Sequence, residues 1–339
     1  MKKIIICITL YAINNYSQET DNTQKVKTRQ ITIACNSQGY PKTKALKALV
    51  TALYKKQSSQ EEITIKEVSG GYFTEKMYII FSKKNGQETP LYFFKISNKT
   101  KSTNNLIKIQ EGPITEKLNE TKRSIANKNS LPEIILLENI FTYKDHEGNT
   151  KVIEVTPSAQ GYLIKNILDS EDITSIRKCA LELGKTLANF HKLFMNYKDS
   201  DNPSDWRTVC HRDFSIKNAL FDPQANQVYF IDNESMDEAH IGVDIKTILV
   251  SMLMFYYIKK HNRTRWPLYL EYCETFLKGY IESYPAEQRT KIALFIKKVL
   301  NDEINKKINT VLITNRAFKG NEFHEAEFKQ KIYSFLQKF

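Results

Sequence analysis

Cysteine is sparse: the 339-residue chain has five, and none stands in Cys-x-x-Cys or mixed Cys/His ligand spacing. A zinc site is therefore not expected. Cys179 and Cys210 sit among apolar neighbours and read as ordinary core residues. Dense basic blocks are missing too, although 50 Lys+Arg against 38 Asp+Glu leave a formal net charge of +12. Lysines scattered along the whole chain describe a solvated surface, and with no nucleic-acid motif present, no nucleic-acid partner is expected. Internal repeats and low-complexity segments are absent. The opening apolar run, residues 4–13, falls short of the roughly 20 residues that span a bilayer.

That run has another reading. Met1-Lys2-Lys3, the apolar stretch and the polar residues after it have the shape of a secretory signal peptide. The expectation is a secreted or exported protein, with residues 1–17 removed and no transmembrane anchor left. Asn15 departs from the small-x-small cleavage rule. A buried opening strand in a cytoplasmic protein is the alternative.

What is present suits one two-lobed enzyme or two small domains, with 41% hydrophobic residues to build a core. The informative stretch is 209–236. It holds His211-Arg212-Asp213, then Asn218, then the apolar run Val228-Tyr229-Phe230-Ile231 ending on Asp232. Residues 219–221 read as a short strand, 222–226 as a turn and 227–231 as the returning strand. Such a hairpin brings Asn218 and Asp232 to its open end. Phosphoryl transfer needs a carboxylate to orient and deprotonate the acceptor hydroxyl, plus oxygen ligands for Mg²⁺. Asp213 suits the first duty, Asn218 and Asp232 the second.

Upstream, residues 42–56 place Leu46, Leu49, Val50 and Leu53 on one helical face. Strands are expected at 61–68 and 77–81, parted by Gly70-Gly71, a pair that is either a plain turn or a loop laying backbone N–H groups over phosphates. A third strand, 91–96, sets Lys95 among Phe93, Phe94 and Ile96. A lysine there needs an anion, or must face solvent on the strand's other side. Residues 114–127 read as a helix carrying Glu116 and Glu120. Two further strands, 134–141 and 151–155, flank the turn His146-Glu147-Gly148-Asn149. Thr156-Pro157-Ser158 then closes the first lobe. Residues 172–197 form a long amphipathic helix, with His191 packed near its end. Helices follow at 267–284, 286–311 and 325–339.

With these residues laid out, the chain resembles the protein-kinase-like superfamily, on its aminoglycoside phosphotransferase and choline kinase branch, over roughly residues 62–285. The specific carriers are His211-Arg212-Asp213 with Asn218, Ile231-Asp232-Asn233-Glu234, and Gly242 with Asp244. The resemblance implies an α+β, two-lobed protein-kinase-like fold. Residues 61–157 would be a small antiparallel-sheet lobe that binds nucleotide, and 158–339 a mostly helical lobe for catalysis and acceptor binding. Residues 18–60 would be a polar lead and a short helix. The cofactors implied are ATP and Mg²⁺. Asp213 would be the catalytic base, with Asn218 and Asp232 as Mg²⁺ ligands. Lys95 would hold the ATP phosphates, Glu120 would orient Lys95, and Gly70 and Gly71 would cover the nucleotide. Asp244 would brace the catalytic loop.

Departures narrow the reading. Arg212 precedes Asp213 as in protein kinases, Asn233 replaces the usual aromatic after Asp232, and Ser215 stands where a lysine is usual. No Ala-Pro-Glu follows, and the stretch from Asp232 to Asp244 is too short for a peptide-docking activation segment. A kinase acting on the hydroxyl of a small molecule fits best. A secreted or host-delivered protein kinase and a non-catalytic nucleotide-binding pseudokinase are the alternatives. Tyr256, Tyr257, Trp266, Tyr269 and Tyr272 would either line a pocket for a cationic acceptor or simply form core.

Overall fold

Period-two alternation of apolar residues builds much of the first half of the chain into one sheet. The computed structural model describes residues 28–53, 62–68, 76–98, 101–159, 161–170, 172–195, 203–258, 266–314 and 325–339. The expected signal segment and the Gly70-Gly71 pair lie outside them. In chain order the elements are β1 (Thr28–Gln30), α1 (Thr43–Leu53), β2 (Glu62–Val68), β3 (Lys76–Lys84), β4 (Gln87–Asn98), α2 (Lys101–Gln110), α3 (Pro113–Ser124), β5 (Glu133–Ile134), β6 (Asn139–Lys144) and β7 (Thr150–Pro157). After them come β8 (Tyr162–Leu163), α4 (Ile164–Asp169), α5 (Ile173–Phe194), β9 (Arg207–Cys210), β10 (Ala219–Asp222), β11 (Gln227–Phe230), β12 (Asp237–His240), α6 (Gly242–Ile258), α7 (Trp266–Glu282), α8 (Ala286–Thr314) and α9 (Glu325–Leu336). They divide between two units: Met1–Thr115 with Leu136–Ser158, and Glu116–Ile135 with Ala159–Phe339. The fold class is α+β, an antiparallel-rich sheet unit and a mostly helical one.

The first unit is a six-stranded sheet in the order β1-β6-β7-β4-β3-β2, antiparallel except where β1 runs parallel to β6. Residues 28–30, expected as polar lead, form that edge strand, and Ile31 N–H donates to Thr142 O at 2.8 Å. One face of the sheet offers Tyr78, Ile80, Phe94, Ile96, Ile153 and Val155 to Leu46, Leu49 and Val50 of α1. Ile140 and Val152 pack instead with Leu106 of α2.

β3 and β4 run well past the expected 77–81 and 91–96, because Asn85 and Gly86 both take positive φ, 53° and 82°. That is the pairing a two-residue hairpin turn requires. The helix α2 was not expected, although Thr103, Leu106, Ile107 and Gln110 follow its spacing.

The expected strand at 134–141 is two strands in different sheets. β5 pairs in parallel with β11 in the second unit, whereas β6 joins the large sheet. Its run Ile134-Ile135-Leu136-Leu137 is apolar throughout, so no alternation marks where the chain changes sheet.

In the second unit α5 crosses α7 at close quarters. A Cβ on Gly184 would strike the Phe276 carbonyl oxygen and come within 2.8 Å of the Tyr280 nitrogen, and one on Gly279 would strike the Leu181 carbonyl. Both glycines serve backbone approach rather than flexibility. Gly184→Ala is therefore expected to destabilise the protein by about 1–3 kcal/mol, the range for overpacking, read as a lowered urea midpoint at unchanged slope. α6 buries Ile245, Ile248, Leu249, Val250 and Met252. Among the described residues, no helix is long and apolar enough to cross a membrane. Tyr269 and Tyr272 are buried core residues; the other three aromatics weighed for a cationic pocket have side chains outside the described set.

Candidate active site

The second unit carries a four-stranded sheet, ordered β5-β11-β10-β8, whose centre is the hairpin β10–β11. Ala219 pairs with Phe230 and Asp222 with Gln227, and Ile231 N–H donates to Asn218 O at 3.1 Å. Asn218 thus ends one strand beside the residue that precedes Asp232. The hairpin's inner side is fixed by Phe221, Val228 and Phe230, all buried. The Phe230 ring meets those of Phe190, His211 and Phe214 edge to face, at 5.0–5.8 Å.

Asp213 is exposed, and Asn218 holds it. Asn218 Nδ2 donates to Asp213 Oδ2 at 2.8 Å and to Asp213 O at 2.9 Å. The amide uses its nitrogen on the carboxylate, which leaves its Oδ1 as an acceptor. His211 Nε2 contacts Ile231 O at 2.9 Å and so ties the start of the loop to the end of β11.

Backbone strain marks the same two positions. Arg212 has φ 65° and Asp232 φ 60°. Asp tolerates the left-handed region better than Arg does, and such residues cost about 1–3 kcal/mol unless their surroundings enforce them. At Arg212 the enforcement comes from Asp244, at the start of α6 and 0% exposed. Its Oδ1 accepts from Arg212 N–H at 2.7 Å and its Oδ2 from His211 N–H at 2.8 Å. His191 Nε2 lies 3.1 Å from the same Oδ2, while Nδ1 meets Tyr280 OH at 2.8 Å.

Next to Asp232 the enforcement comes from Asn233, which is buried. Its Nδ2 donates to Ile135 O at 3.0 Å and Phe230 O at 3.1 Å. At this departure an amide pins the turn to the residue after β5 and to the end of β11. In the sequence Asn233 stands out only as a departure, a polar residue just past the expected strand 227–231.

His191, Cys210 and Asp244 bring their donor atoms within 4.8 Å of one another. The cluster is an anchor for the loop, since the histidine and carboxylate are committed to Tyr280 and to the His211 and Arg212 amides. Burial, with the Asp244 charge next, pushes the Cys210 thiol far up, so it stays neutral. The ladder β9–β12, in which Cys210 pairs with Asp237, flanks the loop. It was not expected from sequence.

Two further expected site residues are carried by other elements. Lys95 is on β4 in the first unit, half-buried, on the face opposite Phe94 and Ile96. Glu120 is exposed on α3, within the part of the chain that belongs to the second unit.

No family model and no curated protein matches the chain. Solved structures similar to it include a mutant of aminoglycoside 2′-phosphotransferase-IIIa in complex with GDP, at 12% identity and TM-score 0.39, covering 81% of this chain and 100% of that one. Aminoglycoside phosphotransferase APH(2″)-Ib, ADP-bound, is similar at 12% identity and TM-score 0.38, covering 86% of this chain and 96% of that one.

Proposed function

We propose that the protein is an ATP- and Mg²⁺-dependent phosphotransferase that moves the γ-phosphoryl group to a hydroxyl of a small molecule. The observation that carries this reading is the Asp213–Asn218 pair, fixed on a braced loop beside the strand β11, which ends two residues before Asp232. An exposed carboxylate held by an amide donor is oriented to accept a proton without being neutralised.

The residues fit a magnesium ion. Asn218 Oδ1 is left as a hard oxygen once Nδ2 is spent on Asp213, and Asp232 adds a carboxylate on a rigid mount. Mg²⁺ is commonly held by one or two carboxylates together with substrate phosphates. Asn218 and Asp232 would hold it, and when bound it neutralises charge on the phosphates. Asp213 takes the acceptor proton as the oxygen attacks phosphorus. Lys95 supplies a cation for the phosphates, the role that favours charge building in the transition state.

Asp232→Ala tests the metal assignment. The variant is expected to lose the Mg²⁺-dependent part of ADP affinity in calorimetry while its metal-free affinity stays. Incubation of wild type with γ-labelled ATP and a panel of amino alcohols and aminoglycosides is expected to label a small acceptor. Labelling of lysate proteins alone would favour a protein kinase. An Asp232→Ala protein with full Mg²⁺-dependent affinity would remove the basis of the reading.

A further inference from the structure

Glu154 is 2% exposed, in the middle of β7. A side chain so deeply placed stays ionised where a cation and hydrogen-bond donors meet it. One donor is plain: Thr103 Oγ1, from α2, gives its hydrogen to Glu154 Oε1 at 2.6 Å. The strand register supplies the cation. Lys95 on β4 stands directly across from Glu154, and on its other side Glu154 faces Ile140 of β6. Directly opposed residues of an antiparallel pair have Cβ atoms about 4.5–5.5 Å apart and point to the same side of the sheet.

The neighbouring charges do not compete for this place. Lys151 is three residues away on β7 and so on the other face, with its ammonium over the Tyr40 ring at 5.7 Å. Lys76 is bound to Glu67. Helix α2, which covers Glu154, carries no acidic residue at all. The helix over this part of the sheet therefore has no glutamate of its own to offer, and Glu120 is exposed on α3.

We propose that Glu154, from the adjacent strand, is the positioning residue for Lys95, with Thr103 holding the carboxylate in turn. This rests on the phosphotransferase reading, in which Lys95 serves the nucleotide phosphates. A strand-to-strand pair has a definite consequence. The lysine's orientation is built into the sheet register and needs no helix to swing inward, so nucleotide competence does not wait on a helix movement.

The test is a double-mutant cycle with Lys95→Met and Glu154→Gln, alongside Glu120→Gln. Glu154→Gln is close to isosteric and is expected to lower kcat/KM for ATP about tenfold or more, chiefly through KM. Added to Lys95→Met it is expected to cost nothing further, the signature of two groups acting as one. Glu120→Gln is expected to stay within about twofold of wild type. The same cycle read by urea unfolding is expected to show coupling between positions 95 and 154, whatever the activity. Wild-type turnover in Glu154→Gln, independent losses in the double variant, or a large loss in Glu120→Gln would overturn the assignment and leave the phosphotransferase standing. A wild-type protein without ATP turnover would instead sink the phosphotransferase reading, and the unfolding cycle would still report whether the pair exists.

Discussion

Asp213→Ala is expected to reduce phosphoryl transfer by about 10²–10⁴-fold, the range for losing a general base, with ATP affinity close to wild type. The Asp213 carboxylate faces solvent and accepts from Asn218 Nδ2 at 2.8 Å, so its removal leaves no buried group stranded. Folding should survive. Asp213→Asn sharpens the result, because it preserves volume and removes only proton acceptance. Single-turnover transfer to a labelled acceptor, with calorimetric ATP binding measured beside it, separates chemistry from binding. An alanine variant that transfers phosphate at the wild-type rate would remove Asp213 from the chemistry.

Asp244→Ala is expected to act through stability first. Its two oxygens take the His211 and Arg212 amides, and His191 Nε2 lies 3.1 Å away. The change leaves those buried groups without their acceptor, which costs about 3–5 kcal/mol when a buried charged partner is deleted. Arg212 also loses what enforces its φ of 65°. Urea unfolding should show the loss. In whatever protein remains folded at low temperature, turnover should fall too, since the loop carrying Asp213 is no longer pinned. Asp244→Asn keeps one acceptor oxygen and should fall between. If Asp244→Ala unfolds at the wild-type urea concentration, the bracing role is wrong.

Much of this centre is legible in the sequence, because its information is local. The hairpin at 219–230 has alternation, a turn rich in breakers and polar residues at its ends. The helix α5 repeats Ile176, Ala180, Leu183, Leu187 and Phe190 at helical intervals, and all are buried. What escaped was decided by partners distant in sequence. β5 is two residues long, and only its register against Tyr229 and Phe230 makes it a strand. The ladder β9–β12 exists because Cys210 finds Asp237 and Arg207 finds His240. Glu154 looks like an ordinary charge in an apolar strand until register sets it across from Lys95. The Asn85-Gly86 turn is different; its signal is in the sequence, and it sets the true length of β3 and β4.

Residues Glu116–Ile135 belong to the second unit although Leu136–Ser158 return to the first. Neither unit is an uninterrupted piece of polypeptide. A fragment beginning at Ala159 would lack β5 and would bare the β11 edge, an invitation to aggregate. During synthesis the hairpin β10–β11 emerges long after β5, which must stay available until β11 arrives to receive it. Any attempt to graft or swap the halves of this protein between relatives has to cut at each crossing along the chain's course, or carry the crossing segment with the half it serves.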